Sequence, residues 1–303
     1  MDTRPSGLAE RAAEAIERQD RLRPVEDALQ RAIAALFGAG GSSGRAVKNG
    51  LHGTWLGHPL HPVLTDVPVG AWTVALVLDG LDARAGDRRW RRPADGALTV
   101  GIAGAVAAAL AGLTDWQHTD GAPRRSGLAH AVLNTVALGL YTGSLLLRRR
   151  GARRAGRGLA GAGFGVLVAS AYLGGRLVYH HRIGVDHAQR DMPTGFGRVL
   201  PEAELREGEP RRAEVGGVGV VLVRHAGRIY ALGEACSHLG GPLAEGEVRE
   251  TSVVCPWHGS RFALEDGRVL DGPATMPQPC FETRVSDGYV EVRGPAEHGR
   301  AAA

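Results

Sequence analysis

Long uncharged stretches set the N-terminal half of the chain apart from the rest. Three of them, 96–114, 126–147 and 158–175, contain no charged residue over 19, 22 and 18 positions. A fourth, 60–78, is apolar except for Asp66. A helix needs about 20 apolar residues to cross a bilayer, so the pattern predicts four transmembrane helices. A soluble helical bundle is the alternative, but its helices would show a polar face that these stretches lack.

The loops between the predicted helices differ at the two ends of the bundle. We call face A the end that precedes the first and third helices and follows the second and fourth. Face A carries eight histidines: His52, His58, His61, His118, His130, His180, His181 and His187. The opposite end, face B, carries eleven arginines, at 84, 88, 89, 91, 92, 148–150, 153, 154 and 157.

The two ends give opposing indications of orientation. Arginine-rich loops favour the cytoplasmic side, which would put face B inside. A charged N-terminal tail of about 55 residues would then have to cross the membrane without a signal sequence. The side of the membrane that carries the C-terminal domain therefore stays open.

The first 50 residues are charged and rich in alanine. Pro24 suits the first turn of a helix. Apolar residues follow it at helical spacing: Val25, Leu29, Ile33 and Leu36. We expect this amphipathic helix to lie on the membrane surface or to pack on its own protein, and the glycine-rich stretch 38–44 to be a flexible linker.

Beyond residue 197 the pattern changes to short apolar stretches separated by turn signals. The predicted strands are 217–224, 228–232, 253–255, 261–264, 280–285 and 289–292. A His-Ala-Gly turn at 225–227 and Asp-Gly turns at 266–267 and 287–288 are typical of hairpins. Strands this short and this closely spaced predict a small antiparallel barrel or sandwich.

Twenty-three residues of this β-rich region contain four metal-binding side chains. Cys236 and His238 form a C-x-H pair, and after sixteen residues Cys255 and His258 form a C-x-x-H pair. Two mixed pairs suit a [2Fe–2S] cluster in which thiolates hold one iron and imidazoles the other. Zinc is the alternative for two cysteines and two histidines, although zinc patterns pair the cysteines first and the histidines second.

The two motifs resemble the Rieske family over residues 197–294. The resemblance implies an all-β domain with a Rieske-type [2Fe–2S] cluster ligated by Cys236, His238, Cys255 and His258. It also implies that the Ser260 hydroxyl donates to a cluster sulfide. Gly241 and Trp257 stand where respiratory members have two cysteines joined as a disulfide, so the domain resembles the ferredoxin-like subtype without that bridge.

The resemblance also bears on the reduction potential. Phe262 stands where high-potential members have a tyrosine. Because fewer hydrogen bonds to the cluster stabilise its reduced form less, we expect a midpoint in the lower part of the Rieske range of about −150 to +300 mV. The third cysteine, Cys280, is predicted to be a small buried hydrophobic residue.

A second resemblance covers Leu51–Trp72, whose His-Pro-Leu-His-Pro core is similar to an uncharacterised family of four-helix bacterial membrane proteins. Some members of that family are fused to a Rieske domain. The fold is therefore predicted to be multidomain, with an N-terminal all-α four-helix transmembrane bundle and a C-terminal all-β Rieske-type domain. The predicted boundaries are a tail and linker at 1–50, the membrane domain at 51–179, a linker at 180–196, the Rieske domain at 197–294 and a disordered tail at 295–303.

Histidines collected at face A suggest a haem b, metal or quinone site in the bundle. His61 and His130, each near the start of a helix, form the first pair to test. Asp66 and Asp115 are ionisable groups at membrane depth, where a carboxylate can orient a ligand imidazole. The full candidate set is His58, His61, His118, His130, Asp66 and Asp115.

Cluster and bundle together predict a membrane-anchored electron-transfer protein of a bacterial cytoplasmic membrane. It would exchange one electron between the bundle site and a redox partner protein that docks at the His238/His258 end. No catalytic residue is assigned; quinol oxidation is the enzymatic version, and a redox sensor or assembly subunit without turnover is the alternative. Ring-hydroxylating oxygenases need an additional iron domain, for which no soluble region is large enough.

The charge of the chain does not indicate a nucleic-acid partner. The net charge is +4, and it comes almost entirely from arginine because Lys48 is the only lysine. Many of these arginines lie in the loops of the predicted bundle, where membrane topology accounts for them. The predicted partner of this part of the chain is therefore the lipid bilayer, which the helices cross and beside which the basic loops lie.

Overall fold

The computed structural model describes residues 7–295 and consists of two compact units. The first unit contains the chain up to Val47 and Leu60–Ile183. The second contains Lys48–Pro59 and the chain from Gly184 onward. The segment 48–59, predicted to be partly tail and partly membrane domain, thus belongs by its contacts to the C-terminal unit. The predicted disordered tail lies, beyond Pro295, outside the described residues.

Seven α-helices occur in the described N-terminal region. They are α1 Leu8–Glu17, α2 Arg23–Ala39, α3 Gly41–His52, α4 Leu60–Ala85, α5 Arg91–Trp116, α6 Gly121–Arg149 and α7 Arg153–Tyr179. The last four are long and apolar enough to cross a membrane. The prediction of four long apolar helices is therefore confirmed, and each helix extends past its apolar stretch to charged residues at one or both ends.

The stretch 38–44 is helical rather than a flexible linker. α2 continues to Ala39, Gly41 turns the chain with φ +54°, and α3 begins there. A Cβ on Gly44 would overlap the backbone carbonyl of Phe37. These glycines therefore allow a positive φ and a close approach between two helices. From the sequence alone, such glycines look the same as those of a flexible linker.

Helix α2 contacts the bundle through its polar side. Gln30 Nε2 donates to the carbonyls of Trp116 and Thr119 at 3.1 and 2.9 Å. Glu26 is buried against Arg124, with 3.1 Å between Oε2 and Nε. The apolar residues Val25, Leu29 and Leu36 remain exposed. The helix therefore packs on its own protein and still presents an apolar surface outward.

Glu17 joins α1 to the bundle. Its carboxylate accepts hydrogen bonds from Arg176 at 2.7 and 3.0 Å and from Ser126 at 3.0 Å. His181 Nε2 lies 2.8 Å from Glu17 Oε1. The Arg176 guanidinium is the main cause that lowers the pKa of Glu17 to about 2. One of the face A histidines is therefore the partner of a carboxylate.

The Glu17 contacts predict a pH-dependent stability. Because the folded-state pKa lies below the ordinary value of 4.5, the charged carboxylate stabilises the fold above pH 4.5 and this contribution is lost as the pH falls towards about 2. We expect Glu17→Gln to lower the melting temperature of the detergent-solubilised protein at pH 7, with a difference that closes between pH 4.5 and 2.

A neighbouring glutamate serves as the control. Glu14 pairs with an exposed Arg18, so Glu14→Gln should change the melting temperature little at either pH. A Glu17→Gln difference that is as large at pH 2 as at pH 7 would contradict the assignment.

Three aspartates neutralise arginines of face B. Arg148 contacts Asp79 and Asp95, and its side chain is 0% exposed. Asp82 is also buried and contacts Arg91, Arg153 and Arg157 at 3.0, 3.4 and 3.1 Å. The sequence indicates the arginines of this face, whereas the aspartates lie within the ends of α4 and α5. Face B is therefore held by a buried ion-pair network as well as by apolar packing.

Ten strands form two antiparallel sheets in the C-terminal unit. The strands are β1 Gly197–Pro201, β2 Arg211–Val215, β3 Val218–His225, β4 Arg228–Gly233, β5 Glu247–Arg249, β6 Ser252–Val254, β7 Arg261–Ala263, β8 Val269–Asp271, β9 Cys280–Ser286 and β10 Tyr289–Arg293. One sheet has the order β1-β10-β9-β4-β3-β2 and the other β5-β6-β7-β8. The all-β prediction is confirmed.

The predicted strands correspond to β3, β4, β6, β7, β9 and β10. The four strands that the sequence analysis does not identify, β1, β2, β5 and β8, are the edges of the two sheets. Edge strands are often short or charged, because this discourages pairing with other chains. Such strands lack the apolar alternation by which a strand is detected. The predicted turns at Ala226-Gly227 and Asp287-Gly288 have positive φ at both residues, as hairpin turns require.

Candidate functional site

The first loop of the site follows strand β4 and is closed by its own backbone. The amide of Cys236 donates to the carbonyl of Gly241 at 2.9 Å, and the amide of Gly240 donates to the carbonyl of Cys236 at 2.8 Å. Gly240 has φ +77°, a conformation that favours glycine. The loop therefore turns back on itself within six residues and presents its side chains to one point.

The second loop, between β6 and β7, repeats this geometry. The amide of Cys255 donates to the carbonyl of Ser260 at 2.8 Å, and the amide of Gly259 donates to the carbonyl of Cys255 at 3.0 Å. Gly259 has φ +75°. In both loops the cysteine is followed four residues later by the glycine with positive φ. The two loops thus match although their histidines fall at different spacings.

The sulfur atoms of the two loops meet in the core of the domain. Cys236 and Cys255 are 1% and 2% exposed. The hydrogen bond between the two thiols lowers the pKa of Cys255 to about 7, and the amides of Trp257 and His258 add to this effect. The neighbouring Cys255 sulfur and burial raise the pKa of Cys236, and the amides of His238 and Leu239, which point to its sulfur, act in the opposite direction. Both sulfurs therefore have backbone amides as donors.

The two imidazoles lie on the solvent side of the sulfurs. His238 and His258 are half-buried, and their ring centroids are 5.0 Å apart with nearly perpendicular planes. Burial, followed by the neighbouring His258, lowers the pKa of His238 to about 3. His238 is therefore neutral at physiological pH, which is the form that binds metal.

Buried thiols and half-buried imidazoles give the site two chemically distinct ends. Two sulfurs at one end and two nitrogens at the other fit a diiron cluster with mixed ligands. The donor set therefore fits a [2Fe–2S] cluster.

Three residues predicted to surround the cluster occupy the two loops. Ser260 is fully buried, and its hydroxyl oxygen accepts the Ala274 amide at 2.9 Å, so its O–H remains available as a donor. Trp257, which is 56% exposed, covers Gly241. A Cβ built on Gly241 would lie 2.9 Å from the Cys255 sulfur and 3.1 Å from the Trp257 ring. A contact between the Trp257 indole and Gly241 thus joins the two loops. These are the two positions at which the resemblance places the disulfide of respiratory members.

Gly241→Ala is predicted to impair assembly of the site, because its Cβ meets the sulfur of Cys255. We expect a lower iron content per purified chain and a loss of about 1–3 kcal/mol in stability from overpacking. Gly195→Ala is the matched control, since a Cβ at that position meets no atom within 4 Å. Iron content equal to that of the parent would show that the two loops are not packed this closely.

Two residues that the sequence analysis does not single out hold the site. Gln278 is buried, accepts the Ser237 amide at 2.9 Å, and donates to the carbonyls of Gly233 and Ala235. Asn49 donates to Asp271 at 2.9 Å and accepts the Gly272 amide at 3.0 Å. Gln278 could have been noticed in the sequence as a polar residue between two prolines. Nothing in the sequence around Asn49 indicates its contacts.

Three histidines counted with face A belong to the C-terminal unit: His52, His58 and His187. His52 is fully buried and lies against Gly272, and the amide of His187 donates to the carbonyl of Ser237 at 3.0 Å. Both contribute, with Lys48, to lowering the pKa of His238. The segments on either side of the bundle sequence therefore pack around the first loop of the site.

The remaining cysteine has a separate environment. Cys280 is half-buried and packs against the core cluster that contains Val253 and Phe262. Burial raises the pKa of its thiol to about 12. A thiol of this kind is protonated at neutral pH and behaves as an apolar residue.

The candidate residues of the membrane domain are only partly brought together. The rings of His61 and His130 lie 6.2 Å apart between centroids. Asp66 is exposed on α4, and His58 is exposed in the C-terminal unit. Asp115 and His118 are half-buried at the C-terminal end of α5. Of these candidates, the structure brings the rings of His61 and His130 together.

Two domain families match the chain. Residues 196–282 match the Rieske [2Fe-2S] domain, and residues 57–187 match a family described as a predicted membrane protein, DUF2231. The two matches agree with the two resemblances seen in the sequence. The chain is thus a fusion of a membrane domain and a Rieske domain, and the [2Fe–2S] cluster is its cofactor.

Similar proteins match the C-terminal third. The 3-phenylpropionate/cinnamic acid dioxygenase ferredoxin subunit of Escherichia coli K12 is 32% identical over 93 residues, which are 30% of this chain and 87% of that protein. Apoptosis-inducing factor 3 of Mus musculus is 34% identical over 117 residues, 35% of this chain, and the chain spans 19% of its length. Among solved structures, the ferredoxin of carbazole 1,9a-dioxygenase from Nocardioides aromaticivorans is 26% identical, with 34% of this chain and all of that chain covered and a TM-score of 0.32.

Proposed function

Since this chain belongs to the Rieske [2Fe–2S] family and carries a predicted membrane domain ahead of its Rieske domain, we propose that it is a membrane-anchored one-electron carrier. The Rieske domain supplies the electron-transfer chemistry, and the helical domain keeps it at a bilayer. The observation that carries the proposal is the convergence of two matching loops on two buried thiols and two half-buried imidazoles.

The ligand assignment follows from the two ends of the site. Cys236 and Cys255 hold one iron through sulfur, and His238 and His258 hold the other through neutral nitrogen. Amides that point at the two sulfurs stabilise negative charge there. The neutral imidazoles add no negative charge of their own, which raises the potential above that of an all-cysteine cluster.

Electrons leave or enter at the imidazole end. His238 and His258 are the ligands nearest to solvent, and the exposed Trp257 ring lies 6.4 Å from the His258 ring between centroids. An exposed aromatic ring beside a redox ligand is suited to docking a protein. The partner is a redox protein, as the ferredoxin-subunit relative of this chain is by its name a component of a dioxygenase.

The midpoint potential is predicted to lie in the lower part of the Rieske range of about −150 to +300 mV. Phe262 is fully buried beside the core that contains both cysteines, and it offers the cluster no hydroxyl. We expect Phe262→Tyr to raise the midpoint in a redox titration. Phe281→Tyr, in the other core cluster of the domain, is the control and should leave it unchanged. A parent midpoint near +300 mV would refute the prediction.

Steady-state electron transfer tests the function. Purified full-length protein in liposomes is given a short-chain quinol as donor and ferricytochrome c as acceptor, and cytochrome reduction is followed optically. A carrier transfers two electrons per quinol to two cytochromes, repeatedly, and Trp257→Ala slows the acceptor step. A cluster that titrates reversibly but supports no turnover with this pair, or with a ferredoxin reductase and NADH, would favour the alternative, a redox sensor or assembly subunit.

A further inference from the structure

His61 is fixed between the first two helices of the bundle. Its Nδ1 lies 2.8 Å from the carbonyl oxygen of Ala108 on α5. One turn further along α5, Gly112 faces the ring, and a Cβ there would lie 2.8 Å from His61 Cε1. The glycine therefore makes room for an imidazole whose orientation is set by the backbone of the neighbouring helix.

His130 repeats this arrangement between the last two helices. Its Nδ1 lies 2.8 Å from the carbonyl oxygen of Ser170 on α7. Four residues later Gly174 faces the ring, and a Cβ there would lie 3.0 Å from His130 Cε1. The hairpins α4–α5 and α6–α7 thus hold one imidazole each in the same way, by a carbonyl and a glycine four residues apart.

The two imidazoles meet across the bundle. α4 packs on α5 and α7, and α6 packs on α7 and α5, so that α4 and α6 occupy opposite corners. The ring centroids of His61 and His130 are 6.2 Å apart and their planes are at 86°.

The backbone contacts determine which nitrogen is available. A carbonyl oxygen can only accept, so Nδ1 of each ring carries the proton and Nε2 has the lone pair. In metal sites a ligating histidine commonly donates its other ring N–H to a backbone carbonyl in this manner. A quinone carbonyl, itself an acceptor, would find no donor at either Nε2.

The spacing of the rings matches two imidazoles on opposite sides of one metal. A metal binds Nε2 at about 2.0 Å and the ring centroid lies about 1.2 Å behind that atom, so trans ligation separates the centroids by roughly 6.4 Å. The observed 6.2 Å agrees with this value. Perpendicular rings are compatible with it, because each ring can rotate about its metal–nitrogen bond.

We propose that His61 and His130 are the two axial ligands of an iron porphyrin. No third His, Cys, Asp or Glu completes a ligand set among residues 7–295, and a porphyrin supplies the four further nitrogens that a bare ion would need from the protein. Asn134 Nδ2 lies 3.0 Å from His130 Nε2, and iron replaces this hydrogen bond. Haem binding does not depend on the proposed function. A role for the haem as the electron partner of the cluster within the membrane rests on that function.

Haem content of the full-length protein tests the proposal. The protein is purified in detergent from cells supplied with a haem precursor, and haem is measured by its absorption spectrum and by pyridine haemochromogen. We expect about one haem per chain, a near-complete loss in His61→Ala and His130→Ala, and retention in Asn134→Ala. Gly112→Ala, which displaces His61, should also lose haem, whereas Gly96→Ala on the same helix, whose Cβ meets no atom within 4 Å, should keep it.

A readout of ligation separates this role from a structural one. His61→Met, which keeps a ligand of different donor strength, should retain haem with a raised midpoint potential. Cys236→Ala removes a cluster ligand and should leave the haem spectrum intact, and each histidine variant should keep the iron–sulfur spectrum, which also shows that it is folded. Absence of haem from the parent protein, haem unaffected by both histidine variants, or a bound metal without porphyrin would each overturn the proposal.

Discussion

His258→Ala is expected to remove the [2Fe–2S] cluster from the purified protein. The remaining imidazole of His238 would leave one iron with a single protein ligand, and the opened site would admit water to two otherwise buried sulfurs. Iron and acid-labile sulfide should fall from about two each per chain to near zero, with loss of the visible spectrum. Cys236→Ser should have the same effect, because a hydroxyl does not replace a thiolate on iron.

Residues of the same types elsewhere in the domain provide the controls. His225, at the turn between β3 and β4, and Cys280, in the core, lie outside the two loops. His225→Ala and Cys280→Ser should therefore retain about two irons per chain. Full retention of the cluster in His258→Ala, with an unchanged spectrum, would rule out the proposed ligand set.

Asp79→Ala is expected to cause the largest loss of stability in the membrane domain. It leaves the fully buried Arg148 guanidinium with Asp95, which is one third exposed, as its remaining carboxylate. Removing one partner of a buried ion pair costs about 3–5 kcal/mol, because the other charge stays desolvated. The measurement is unfolding of the detergent-solubilised protein, followed by helix content.

Two further variants separate desolvation from other causes. Glu14→Ala breaks a pair with Arg18 in which both side chains are exposed, and it should cost no more than about 1 kcal/mol. The double variant Asp79→Leu with Arg148→Met should recover much of the loss, since neither charge of this pair is then left buried without the other. A double variant as unstable as Asp79→Ala would contradict this explanation.

The sequence predicts the parts of the fold that depend on simple periodicity. Four long apolar stretches predict α4–α7, and alternating strands with Asp-Gly turns predict the centre of both sheets. The edge strands, such as β5 Glu247–Arg249, are not predicted, because they are short or charged and so lack the apolar alternation of a central strand. The start of helix α3 is not predicted, because glycines at 41 and 44 suggest flexibility. In the structure Gly41 forms a turn and Gly44 a close contact.

The site shows the same division. Its four proposed ligands follow from motif spacing, because tight loops bring residues two or three apart to one point. Asn49 is 222 residues from its partner Asp271, and Gln278 is 41 residues from its partner Ser237. No local pattern predicts contacts between residues so far apart in the sequence. For the membrane histidines, helix order indicates the end of the bundle, whereas only packing shows that the rings of His61 and His130 lie close together.

The measurement that tests the central claim most directly is pulsed electron paramagnetic resonance of the reduced full-length protein, prepared with and without ¹⁵N-labelled histidine. If one iron is bound by His238 and His258, two strong nitrogen couplings should change with the label, and each single-histidine variant should lose the spectrum altogether. A spectrum without histidine couplings, or iron-free protein that holds zinc, would contradict a mixed sulfur–nitrogen cluster at these four residues.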